Sequence, residues 1–102
     1  LSTVNALSVG DDIENYEFEI LTAYPNPFNP SVNIDYVLNK SQFIEINIVN
    51  LEGKIIDVLE SSFKMEGIHS IVWNPINISS GVYFLNISSG NKIQTQKLMF
   101  MK

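Results

Sequence analysis

Apolar and polar residues alternate along most of the chain beyond residue 30, the pattern of half-buried β-strands. In segment 31–38 one face carries four large apolar residues: Val32, Ile34, Tyr36 and Leu38. Similar patterns occur in five further segments, 43–50, 54–60, 67–73, 82–88 and 92–102, and a weaker one occurs at 17–23. Polar or glycine-containing turns separate the segments, and none shows sustained helical periodicity. We therefore predict seven short strands and no helix.

The alternation also predicts which side chains face the core. In segment 54–60, Ile56 and Val58 share one face, and residues 61–66 form a connection that ends at Gly67. In the last segment, Leu98 and Phe100 share a face opposite Lys97. Seven strands at this spacing favour an all-β fold, an antiparallel immunoglobulin-like sandwich. The chain of 102 residues has no cysteine, so this sandwich would have no disulfides.

A proline-rich run, residues 24–30, precedes the first well-defined strand and holds three of the four prolines. Each proline restricts its own φ and biases the preceding residue towards extended geometry. We expect a rigid lead-in whose structural role is to let Tyr24 and Phe28 pack and to set the first strands.

Charge divides the chain at about the same point. The first 22 residues contain five acidic residues and no lysine, whereas the remainder contains six acids and six lysines. The net charge of −5 therefore belongs to the N-terminal segment. We expect residues 1–22 to form an acidic linker from an upstream cargo domain, overlapping the start of the first strand, and residues 23–102 to form the domain. A calcium site is the alternative for the acidic segment, but the Asp/Asn ladder and central Gly of a calcium loop are missing. Since the chain begins with Leu1, we also expect a piece of a longer protein or a processed product.

Composition argues against several function classes. Arginine is absent and the net charge is negative, which disfavours nucleic-acid binding. No apolar run approaches the ~20 residues of a membrane-spanning helix. His69 is the single histidine and is expected to be a partly buried structural residue, because no Ser/His/Asp arrangement or set of metal ligands surrounds it. We predict no catalytic residues, no cofactor, no metal and no enzymatic activity.

Two features leave alternatives open. Trp73, Tyr24, Tyr36 and Tyr83 would serve either as core residues or as a sugar-stacking platform. The last segment carries Lys92, Lys97 and Lys102, and no acid follows Glu66. Its lysines either deter edge-to-edge pairing or belong to a terminal strand presented to another protein.

Five segments in order carry a resemblance to a known family. They are Tyr24-Pro25-Asn26-Pro27-Phe28, the turn with Gly53, the stretch from Gly67 to Trp73, the signature Ser80-Gly81-Val82-Tyr83, and the basic, apolar terminus from Lys97 to Lys102. The pattern closely resembles the type A C-terminal sorting domain of the type IX (Por) secretion system of Bacteroidetes-type bacteria, over residues 23–102. Asn74-Pro75 departs from the commoner Asp-Gly after the Trp, and Asn50-Leu51 departs from Tyr-Asn or Tyr-Asp. The Pro-Asn-Pro-Phe and Ser-Gly-Val-Tyr signatures are shared with Ig-like domains related to the flagellar hook-capping protein.

The resemblance implies a secretion address on a larger cargo protein, which passes through the periplasm to the cell surface or the medium. Its implied partners are outer-membrane shuttle and translocon proteins and a sortase-like peptidase that removes the domain after export. We expect translocon recognition at the terminal strand, with five residues as its candidates: Lys92, Lys97, Leu98, Phe100 and Lys102. The alternative function is a structural or carbohydrate-binding β-sandwich accessory module of a secreted enzyme.

Overall fold

The alternating segments form seven strands in the structure, a computed structural model that describes residues 17–102. The strands are β1 Phe18–Tyr24, β2 Val32–Leu38, β3 Gln42–Val49, β4 Ile55–Lys64, β5 Gly67–Trp73, β6 Gly81–Ser89 and β7 Lys92–Phe100. β1 lies where the weaker alternation predicts a first strand. Of the predicted linker, residues 1–16 lie outside the described residues.

The strands form two sheets, one with the order β1-β2-β5 and one with the order β4-β3-β6-β7. All neighbours within the sheets pair antiparallel. The connections β2–β3, β4–β5 and β5–β6 each cross from one sheet to the other. The predicted fold class is confirmed: the protein is all-β, has seven antiparallel strands in two sheets, and matches an immunoglobulin-like sandwich without disulfides.

The inward side chains of both sheets form one hydrophobic core, as expected when strands alternate between two packed sheets. β2 and β3 show the alternation most clearly, since every second residue is buried along each strand. Phe28, in the connection between β1 and β2, joins the core although it belongs to neither sheet. The predicted apolar faces of β2 and β7 are confirmed as inward faces.

β4 differs from the prediction in two respects. It continues to Lys64, through most of the predicted connection 61–66. Its pairing with β3 is irregular at two points, which leaves Ile56 and Leu59 without direct partners. Each irregularity shifts the alternation by one residue. Ile56 and Leu59 therefore pack against the core while Val58 is 51% exposed. The prediction that Ile56 and Val58 share one face is wrong.

The proline-rich run also differs in part. Phe28 is buried, but Tyr24 is exposed at the end of β1, opposite Asn33 of β2. The expectation that both aromatic side chains pack is therefore wrong for Tyr24. Its pairing with Asn33 places it on the outer face of the three-stranded sheet, which points away from the four-stranded sheet.

Candidate functional site

The sequence motifs that are far apart in the chain meet at one end of the sandwich, around the C-terminal half of β7. The Phe28 ring lies 5.5 Å from the Trp73 ring and 5.1 Å from the Phe100 ring, centroid to centroid. The Tyr83 ring meets Trp73 edge to face at 5.8 Å. Tilted and edge-to-face contacts of this kind add to the free energy gained by burying the rings. Three motifs thus form one aromatic cluster with the terminal strand.

The polar atoms of this cluster have partners. Trp73 Nε1–H donates a hydrogen bond of 3.0 Å to Asp57 Oδ2, and the Tyr83 hydroxyl donates one of 2.7 Å to the carbonyl of Ser79. Buried aromatic side chains with satisfied polar ends are expected in a structural core. Trp73 and Tyr83, and with them Tyr36, are therefore core residues and do not form a sugar-stacking platform.

The remaining motif residues lie at turns and strand ends. Gly53 has φ 84° in the turn between β3 and β4, where its N–H donates to the carbonyl of Asn50. This positive φ is the reason for glycine at that position. Ser80 Oγ accepts a hydrogen bond of 2.8 Å from the backbone N–H of Lys102, and Gly81 lies opposite Phe100. Gly67 lies at the other end of the sandwich, opposite Leu38.

The proline-rich run binds the outer edge of β7 through Asn26 and Phe28. The Asn26 side-chain amide donates from Nδ2 to the carbonyl of Lys97 and accepts at Oδ1 from the N–H of Met99, both at 2.9 Å. Phe28 N–H donates to the carbonyl of Met99 at 2.8 Å, and Phe28 O accepts from Met101 N–H at 3.1 Å. We call this set of four bonds the edge clasp. It supplies β7 with the hydrogen-bond partners that a further strand would otherwise provide.

A second amide bridges the two sheets further back along β7. Gln94 Oε1 accepts from the backbone N–H of Ile20 at 3.0 Å, and Gln94 Nε2–H donates to the carbonyl of Phe18 at 3.2 Å. The side chain therefore links β7 to the free edge of β1. The roles of Asn26 and Gln94 as edge partners are not predicted by the sequence. The only signal for them was the presence of an amide beside extended backbone, which is too common to be informative.

The five candidates for translocon recognition separate into two groups. Lys92, Lys97 and Lys102 are exposed, whereas Leu98 and Phe100 are 0% and 7% exposed. Leu98 and Phe100 point into the core because they share the inward face of β7. In the folded domain a partner can reach the lysines but not these two side chains.

His69 and Tyr36 are paired across β2 and β5, with their rings stacked at 5.4 Å. His69 Nε2–H donates to the carbonyl of Met65 at 2.7 Å, so the histidine is half-buried and bonded, as predicted for a structural residue. Burial, and secondarily the negative charge of Glu60, raise the pKa of Tyr36 to about 12.

No cluster suited to metal binding occurs in residues 17–102, since nowhere in this part of the chain do three or more His, Asp or Glu side chains group together. The same residues contain no helix with the length and apolarity needed to cross a bilayer. Within this range the distinctive arrangement is the terminal strand, held at its edge by the proline-rich run and at its face by the aromatic cluster.

A family model described as the secretion system C-terminal sorting domain matches residues 22–101. The chain belongs to this family. The match covers the residues of the edge clasp, the aromatic cluster and all of β7, and it supports the resemblance to type IX sorting domains. A search of curated proteins returned no match.

Membership gives the chain its general role. The family is one of sorting signals and not of enzymes, and a type IX sorting domain directs export to the cell surface or the medium. Residues of three family motifs, Phe28, Trp73 and Tyr83, form the aromatic cluster with Phe100 of β7. Gly53, in the turn between β3 and β4, and Gly67, at the start of β5, lie away from this strand.

Proposed function

We propose that this domain carries an upstream cargo from the periplasm across the outer membrane by the type IX secretion system. Shuttle and translocon proteins recognise the folded sandwich, and a sortase-like peptidase then removes it. Residues 1–22 form the acidic linker to the cargo and include the start of β1 from Phe18. The family match over residues 22–101 is the observation that carries this proposal.

The arrangement around β7 supports recognition of a folded domain in place of an extended tail. β7 contributes Leu98 and Phe100 to the core, and its edge is bound by Asn26 and Phe28. A partner that needed β7 as a free strand would first have to break the edge clasp and remove two large side chains from the core. Burial of each such side chain is worth about 1.5–3 kcal/mol, so this release is costly.

The test fuses Leu1–Lys102 behind a periplasm-directed fluorescent protein in a bacterium that has the type IX system. We expect the reporter at the cell surface or in the medium, and in the periplasm when the translocon is deleted. Retention of the fusion in the periplasm of the intact strain, while a known sorting domain is exported, would disprove the function.

Cleavage is tested on the same exported reporter. Its mass should correspond to loss of the domain at a point before Phe18, and the domain should remain attached in a strain without the peptidase. An exported reporter that keeps the full domain in both strains would contradict removal by the peptidase.

Deletion of residues 97–102 is a poor test of recognition alone, because it also removes Leu98 and Phe100 from the core. Surface substitutions on β7 separate recognition from folding.

A further inference from the structure

The outward face of β7 is the part of the terminal strand that the fold leaves open. The inward face packs in the core, and the edge clasp binds the edge from Lys97 to Met101. Ile93, Thr95, Lys97 and Met99 remain, and all four are exposed on the outer face of the four-stranded sheet.

At the C-terminal end of β7 this face is apolar. In the sheet register Lys97 lies opposite Phe84, Phe84 opposite Val49, and Val49 opposite Ile55, so that one row crosses all four strands. Met99 and Val82 form a pair beside this row. The apolar residues of this row and the neighbouring pair are together called the outer patch: Val49, Ile55, Val82, Phe84 and Met99. Ile55 and Met99 are 51% and 36% exposed, and the other three are half-buried.

A polar row limits the outer patch on one side. Thr95 Oγ1–H donates to Asn86 Oδ1 at 2.7 Å, and the Asn86 amide lies 3.5 Å from Asn47 Oδ1. These side chains satisfy one another across three strands. On β3, β6 and β7 this row separates the outer patch from the exposed apolar residues at the other end of the face, Phe43, Phe63 and Ile93. A bounded apolar patch on a protein surface is typical of a binding site for another protein.

Positive charge surrounds the same end. Lys97 belongs to the row that contains Phe84, and Lys54 directly precedes Ile55 in the sequence. The backbone N–H of Lys102 donates a hydrogen bond to Ser80 Oγ, which places Lys102 beside the start of β6. The turn before β4, residues 51–54, contains one acidic residue, Glu52. A partner that carries carboxylates around an apolar centre would complement this end.

We propose that the outer patch and Lys97 form the recognition surface of the domain, and that its partner is a folded protein whose surface has an apolar centre and an acidic rim. This inference rests on the proposed export function and specifies the face that the export machinery contacts. An anionic lipid surface would also attract lysines, but residues 23–102 have six acids beside their six lysines, so the domain has no net positive charge that would favour such a surface.

The test compares variants of the full chain in the reporter fusion. Lys97→Glu reverses the charge in the row, and the double change Ile55→Ser with Met99→Ser removes exposed apolar surface without touching buried residues. The matched controls are Lys40→Glu, an exposed charge reversal in the turn between β2 and β3, and Phe43→Ser with Phe63→Ser. The surface ion pair of Lys40 with Glu17 contributes little to stability. Phe43 and Phe63 are exposed cross-strand partners at the opposite end of the same face.

We expect each patch variant to lower surface delivery by about tenfold or more, since few residues dominate a protein interface. The control variants should be exported like the unaltered chain. Unfolding of the purified variants, followed by Trp73 fluorescence, should show that all of them fold.

Three results would overturn the inference: export of the folded patch variants at the unaltered level, an equal loss in the controls, or Lys97-dependent binding of the purified domain to vesicles with 30% anionic lipid. Export failure of the unaltered chain would instead refute the proposed function itself, so the two failures are distinguishable.

Discussion

Asn26 offers the most direct test of the edge clasp. Its exposed side chain forms two hydrogen bonds with backbone atoms of β7, more than 70 positions later in the sequence. The change Asn26→Ala removes both the bond to the Lys97 carbonyl and the bond from the Met99 N–H. It leaves the flanking prolines and the buried Phe28 in place, so it perturbs the hydrogen bonds and little else.

The expected cost follows from the two bonds. An intramolecular hydrogen bond contributes about 0.5–1.5 kcal/mol net, which gives about 1–3 kcal/mol for the pair. Water can reach these backbone groups because the site is exposed, and it replaces part of what is lost. We therefore expect the free energy of unfolding to fall by about 1–2 kcal/mol.

Urea unfolding of Leu1–Lys102, followed by the fluorescence of the single tryptophan, Trp73, measures this change. Amide hydrogen exchange at Met99 should accelerate in the same variant, since its N–H loses its acceptor. Asn29→Ala is the matched control: it lies in the same proline-rich run, and none of the hydrogen bonds found in residues 17–102 involves its side chain. Its effect should stay within about 0.5 kcal/mol.

Asn26→Asp tests the same geometry by pH. The new carboxylate can still accept from Met99 N–H but presents oxygen, without a proton, to the Lys97 carbonyl. Protonation restores a donor there, so the folded state favours the protonated form and the stability deficit against wild type should shrink as pH falls from 7 to 3. Equal stabilities of Asn26→Ala and Asn29→Ala, or a deficit of Asn26→Asp that does not change with pH, would refute the role assigned to Asn26.

Three further changes probe the rest of the site. Phe28→Ala should cost about 3–5 kcal/mol in urea unfolding, because it empties the centre of the aromatic cluster; the exposed Phe43→Ala should cost much less, and equal costs would contradict the burial of Phe28. Gln94→Ala, which removes both bonds to β1, should cost about 1–2 kcal/mol by the same measurement, whereas an effect no larger than that of Gln96→Ala would argue against the bridge. Because the pKa of Tyr36 is raised from 10.0 to about 12, the folded state holds the phenol proton longer than the unfolded state. Stability that is present below pH 10 should therefore decline between pH 10 and 12, by up to about 2 kcal/mol. Tyr36→Phe should remove this part of the decline in unfolding measured across that range, Tyr24→Phe should not, and identical profiles for the two variants would refute the assignment.

The position and inward faces of most strands follow from the sequence, because strand periodicity is a local property with a period of two residues. Segment 31–38 illustrates this: its alternation predicts the four side chains that β2 buries. The family motifs likewise identify the sorting domain, and their spacing along the chain is visible without a structure.

β4 shows where local patterns fail. Its two irregularities are set by pairing with β3, and each one reverses the faces of the residues that follow. No property of residues 55–64 alone distinguishes the exposed Val58 from the packed Leu59. The pairing partner decides, and it is specified only in the folded sheet.

The terminal strand shows the same division most clearly. The sequence alone predicts a basic, alternating terminal strand with Leu98 and Phe100 on one face, and a proline-rich run with restricted backbone geometry. That these two segments meet, and that Asn26 and Phe28 occupy the edge of β7, is visible only in the folded sandwich. The physical reason is that an edge partner is chosen by which segments the two packed sheets bring together, and this depends on the whole fold.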